Sequence, residues 1–171
     1  ARSQRRRGPA RPRARRRRPP PLNANAARGR LIADDDGLRA LLSRVRRIAV
    51  LGIKTETQRG QPAIEVPRYL ERVGFDVVPV PVYYPEVESI LRRPVFRRLV
   101  DIPGDVDLVN VFRKPKDLAA HLDDLLAKRP SAVWLQSGIR DDAFAEALLA
   151  AGIDVVQDRC IMVEHRRLAS G

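Results

Sequence analysis

The sequence has a single cysteine, two histidines and few aromatic residues, 5% of 171. One cysteine closes no internal disulfide, and with two His it builds no Cys-rich zinc site. That usage fits a reducing compartment, so a cytoplasmic protein is expected. Long apolar runs are also missing. None approaches the ~18 residues of a membrane span, which argues against an integral membrane protein. No apolar segment of about 7–15 residues follows the N-terminal arginines, so no secretory signal is expected. Prolines among those arginines spoil the amphipathic helix of a transit peptide.

Acidic residues are absent from the first 30 positions, which hold 12 Arg and no Lys. The net charge of +12 therefore sits entirely there. The remaining 141 residues carry the other 21 basic groups against all 21 acids, so the body is neutral. Residues 1–30 include Arg5-Arg6-Arg7, Arg15 to Arg18 and Pro19-Pro20-Pro21, with no aromatic or β-branched residue. Such a segment cannot bury enough surface to offset the entropy of ordering its backbone. It is expected to be a disordered basic tail, with the folded domain at 31–171. Attraction to a phosphate backbone would be non-specific and salt-sensitive, and the alternative is a low-complexity extension with no essential role.

Beyond the tail the chain alternates between helical and strand patterns. Asp34-Asp35-Asp36 can cap a helix whose apolar face is Leu38, Leu41, Leu42 and Val45. Ile48 to Leu51 is wholly apolar and ends in Gly52, as in a strand buried on both faces. A helix follows from Pro62 to Arg72, with Pro67 awkwardly inside it, and a second strand from Phe75 to Val82. A short helix and an edge strand near Val95-Phe96 are expected next. The pattern then predicts strands at Val106–Phe112, Ala132–Gln136 and Val155-Val156, alternating with helices at Asp117–Ala127, Asp141–Ala151 and Ile161–Leu168. Strands separated by helices give an α/β fold, a Rossmann-like three-layer parallel sheet with helices on both faces.

In such sheets a ligand lies beyond the carboxyl ends of the strands, where strand order reverses. Those ends read Gly52-Ile53-Lys54-Thr55, Pro81-Val82-Tyr83, Phe112-Arg113-Lys114-Pro115, Gln136-Ser137-Gly138 and Asp158-Arg159-Cys160. Gly52 permits close backbone approach, and the helix start after Gly60 and Gln61 offers free N–H groups to phosphate. Two dinucleotide features are missing. No GxGxxG follows the first strand, and the second strand ends without the acid that grips a ribose hydroxyl. A P-loop is absent too. An adenine nucleotide fits this pattern, and NAD is disfavoured.

Several segments resemble the small stand-alone coenzyme A-binding proteins, the succinyl-CoA-synthetase-like CoA-binding family. They are IAVLG at 48–52, PRYL at 67–70, VPVPVYYPEV at 78–87, DIPGDVDLVNVFRKP at 101–115, AVWLQSGI at 132–139 and VVQDRCIMVEHRRL at 155–168. The resemblance covers roughly residues 40–171 in order and leaves out the tail. The first loop is longer than the short turn usual there. The resemblance implies a domain that holds coenzyme A by its adenosine and pyrophosphate. It implies phosphate contact at Gly52, Ile53, Lys54 and Thr55, and Pro81 and Val82 bordering the nucleotide. Val111, Phe112 and Arg113 would flank the adenine, with Arg113 reaching a phosphate, and Ser137 and Gly138 would close the crevice.

Larger acyl-CoA ligases add a domain with a phosphorylated His and an ATP-binding module, which do not fit into ~140 ordered residues. A non-catalytic binder of coenzyme A or acyl-CoA is therefore expected, with an NAD(P)-dependent oxidoreductase as the alternative and a nucleic-acid binder resting on the tail alone. No Ser-His-Asp or Cys-His arrangement follows from spacing. Trp134 reads as core, His121 and His165 as helix-face residues that form no metal site. Cys160 reads as a small buried hydrophobe, with a mixed disulfide to a thiol ligand as the alternative.

Overall fold

The computed structural model describes residues 27–170. The apolar runs form five parallel strands in one sheet. These are β1 (Arg47–Leu51), β2 (Asp76–Val80), β5 (Leu108–Val111), β6 (Ala132–Leu135) and β7 (Asp154–Val156), in the order β2-β1-β5-β6-β7. Strand residues alternate between two cores. Ile48 and Val50 of β1 join the core under helices α1 (Asp35–Arg44), α2 (Pro62–Arg72) and α5 (Ile161–Ala169). Ala49 and Leu51 join the core under α3 (Leu122–Lys128) and α4 (Asp142–Ala150). With both faces covered, each strand interior must be apolar throughout, because a fully buried Val, Ile or Leu contributes about 1.5–3 kcal/mol. The α/β, Rossmann-like expectation holds.

Helix signals act where they were read. Asp34 caps α1 by accepting the Gly37 N–H at 2.8 Å. Pro67 lies inside α2 and cannot donate to the carbonyl of Ala63. That carbonyl instead accepts the N–H of Lys54 at 3.0 Å, which ties the loop after β1 to the first turn of α2.

Two expectations change. The segment after β2 forms a hairpin, β3 (Ser89–Ile90) with β4 (Arg93–Pro94), in place of a short helix and a strand at Val95-Phe96. Phe96 donates its N–H to Pro79 of β2, and Arg93 of β4 pairs with Asp76 at the start of that strand. The helix expected from Asp117 divides into a 3-10 stretch, Pro115–His121, and then α3.

Residues 1–26 of the expected tail lie outside the described residues. Residues 27–30 lie on the domain. Arg30 and Ile32 exchange backbone bonds with Val155, extending the sheet past β7, and Arg28 forks onto Glu146. A Cβ on Gly29 would stand 2.2 Å from the Ile153 carbonyl oxygen, so only glycine allows this approach. Among the described residues no helix is long and apolar enough to cross a membrane.

Candidate functional site

The chain enters the sheet at β1, places β2 on one side, then crosses to place β5 on the other. Strand order thus reverses between β1 and β5, and loops leaving their carboxyl ends diverge to open a crevice. Its volume is about 510 Å³. The walls come from Gln61, Pro62 and Ala63 at the start of α2, Phe112 to Pro115 after β5, Gln136 to Ile139 after β6, and Cys160.

Gly52 closes the base of the split. It holds φ +83°, and a Cβ there would lie 2.4 Å from the Phe112 carbonyl oxygen. Its N–H donates to Val80 while Phe112 donates to Leu51, so the ends of β2, β1 and β5 are locked together at this residue. The glycine serves backbone proximity between two strand ends, a role distinct from a dinucleotide turn.

Arg113 lies along the crevice wall with its side chain only 13% exposed. Its Nε is buried and has no acceptor. The terminal nitrogens reach the Tyr83 hydroxyl at 3.4 Å and Asp117 at 3.6 Å, both long contacts. The guanidinium also sits 5.5 Å from the centre of the Tyr83 ring. A largely desolvated cation with weak partners is poised to donate charge-assisted bonds to an anion. Burial, helped by the charge of Arg113, holds His121 below the usual histidine value. Across the crevice, Pro62 brings no N–H and the amide of Ala63 has no acceptor among the described residues, leaving a free donor at the positive end of α2.

The other residues expected from the sequence are distributed as follows. Phe112, Arg113, Ser137 and Gly138 share the crevice wall. Lys54 pairs with Gln61 at 3.2 Å, beside the crevice. Ile53 and Val111 belong to the cores, and Thr55 is buried with its hydroxyl bonded to Thr57, so these support the loop and strand from beneath. Pro81 is buried and Val82 exposed, and neither lines the crevice. Gly138 donates its N–H to Asp158, which ties the loop after β6 to the loop after β7.

In the sequence Tyr83 is legible only within the strand end Pro81-Val82-Tyr83, and Ala63 only within the helix start after Gly60 and Gln61. Trp134 is fully buried and its indole N–H donates to the Arg159 carbonyl at 2.7 Å. His165 packs edge-on against Phe75 and bonds the Tyr69 hydroxyl at 2.7 Å. Cys160 stands just before α5 without a side-chain capping bond and reaches the crevice, so it is half-buried, in contrast to a fully enclosed hydrophobe.

The fold recurs in known proteins. A protein of solved structure from Thermus thermophilus is 46% identical, over 80% of this chain and 99% of its own, with a TM-score of 0.73. One from Pyrococcus horikoshii OT3 is 32% identical, over 82% of this chain and 96% of its own, with a TM-score of 0.72. YneT of Bacillus subtilis (strain 168) is 27% identical over 128 residues, 75% of this chain and 91% of its own length. The family model for the CoA binding domain matches residues 46–166, a span that contains every wall of the crevice, and the chain belongs to that family.

Proposed function

We propose that the protein binds coenzyme A, or an acyl derivative of it, in the crevice between the ends of β1 and β5, and does so as a binding module without chemistry of its own. The observation that carries this reading is Arg113, a cation mostly withdrawn from water, with a buried Nε and only long contacts at its tips. Left alone it is under-satisfied, and phosphate oxygens are the acceptors its planar fork fits best. Lys114 and the free amide of Ala63 would share that phosphate charge from the two walls. Gly52 supports the reading by keeping the base of the split free of side chain. Ser137 and Gly138 would close the crevice over the nucleotide. Bound there, coenzyme A would supply a thiol that carries acyl groups.

NAD is the poorer fit. Strand β2 ends in Pro81-Val82-Tyr83, with no carboxylate for a ribose hydroxyl, and the first loop has no second glycine two residues after Gly52. Calorimetry on the full chain tests the choice. Coenzyme A is expected to bind with 1:1 stoichiometry and to raise the melting temperature, because a ligand that binds only the folded state stabilises it by mass action. Tight binding of NAD with no heat from coenzyme A overturns the reading.

A further inference from the structure

Apart from charged residues at strand starts, the five parallel strands hold one polar aliphatic side chain, Asn110 in β5. It is 0% exposed and lies in register with Val50 on one side and Trp134 on the other. Its Oδ1 accepts the Nε2–H of Gln136 at 2.5 Å, while its own Nδ2 has no acceptor. A buried amide with a spare donor destabilises the sheet relative to an apolar side chain, so packing does not account for it. What it does is hold Gln136 in one orientation.

Gln136 is 4% exposed and forms part of the crevice wall. Its Nε2 keeps a second hydrogen, and its Oε1 has no partner among the described residues. On the crevice wall that amide keeps one donor and one acceptor without partners among the described residues, on a single plane. The remaining wall around it is mostly apolar, with Pro62, Ala63, Phe112, Pro115 and Ile139. The complement of such a surface is a secondary amide within an aliphatic chain.

We infer that Gln136, positioned by Asn110, recognises an amide of the pantetheine arm and selects ligands that carry this arm over nucleotides that lack it. The inference rests on the coenzyme A reading above. A purine edge also sets a donor beside an acceptor. However, adenine is a broad rigid plate, and Gln136 is only 4% exposed at the wall. A recessed amide is better reached by a narrow chain.

The test is calorimetry on the full chain with two ligands, coenzyme A and adenosine 3′-phosphate 5′-diphosphate, the same nucleotide without its arm. Gln136→Leu is expected to weaken coenzyme A binding by about ten- to a hundredfold, since the ligand amide is then left unpaired. It should leave the armless nucleotide unchanged. Asn110→Leu, which releases Gln136, should show the same selective loss. Gln136→Met keeps the length without the amide or a charge, and serves, with the same selective loss expected, if the leucine variant fails to fold. Equal affinity of parent and variants for coenzyme A overturns the inference. A loss shared equally by both ligands also overturns it, and assigns Gln136 to the adenine. If the parent chain binds neither ligand, the underlying reading fails first, an outcome distinct from a change seen only in the variants.

Discussion

At the scale of single residues, the site depends on groups whose partners are incomplete. Arg113 is the main case. Arg113→Ala is expected to weaken coenzyme A binding by roughly ten- to a hundredfold, since a charge-assisted bond is worth about 1.5–3 kcal/mol and each ~1.4 kcal/mol is tenfold. Arg113→Lys should recover only part of that, because an ammonium lacks the planar fork. Titration calorimetry checks both, and an unchanged affinity in Arg113→Ala would locate the phosphates elsewhere. The histidines give a pH prediction. Burial holds both His165 and His121 below the ordinary histidine value. Each then binds a proton more readily when unfolded, so its stabilising contribution is complete above about pH 6.5. That contribution is lost as pH falls from there through the lowered folded value. Melting temperature should accordingly drop below about pH 6.5, and replacing both histidines by Gln should flatten the fall in that window.

At the scale of elements, Pro67 illustrates how a local irregularity positions the site. In an uninterrupted helix the N–H at 67 would bind the Ala63 carbonyl. Proline vacates that carbonyl, and Lys54 occupies it. Pro67→Ala restores a competing donor inside the helix. The Lys54 amide should then exchange its hydrogen faster, while the global melting temperature holds or rises. Hydrogen exchange followed by NMR checks this, and full protection of Lys54 in the variant would show that the loop is held by other contacts. The hairpin β3–β4 was misread because Leu91 and Arg92 both take positive φ, 51° and 58°, without a glycine between them. Two-residue hairpin turns are ordinarily announced by Asn-Gly or Asp-Gly, and this one carries neither. Its placement depends on Glu56, which accepts the Leu91 N–H from a distant loop.

At the scale of the whole molecule, ten of the twelve N-terminal arginines lie in residues 1–26, outside the described residues, while Arg28 and Arg30 lie on the domain. Removal of residues 1–26 is expected to leave melting temperature and coenzyme A affinity nearly unchanged. It should also abolish any retention on DNA or RNA, which in the full chain should decline steeply with salt. Removal of residues 1–32 should lower the melting temperature, because the backbone bonds to Val155, the packing of Gly29 on Ile153 and the buried Ile32 are lost. Paired melting curves of the two truncations test this. Nucleic-acid retention that survives both deletions would locate a basic site on the domain itself.

The elements were largely legible in the sequence because their causes are local. Asp34 followed by an apolar 3.6 period makes α1, and an uninterrupted Ile48-Ala49-Val50-Leu51 can be buried only with helices on both faces. The strand ends, and with them Phe112, Arg113, Ser137 and Gly138, follow from knowing where strands stop. Which of those ends face one another depends on strand order, a long-range property. Hydrogen bonding of β1 to both β2 and β5 is what opens a crevice at Gly52 and Phe112. Val111 and Ile53 sit beside crevice residues in sequence yet point into the cores, because strand and loop geometry turn successive side chains to opposite sides. The contact of Tyr83 with Arg113 and the pairing of Asn110 with Gln136 become visible only when separate segments meet. No residue type marks in advance a free amide, a stacked guanidinium or a buried donor without an acceptor. Those are properties of neighbours, and the fold chooses the neighbours.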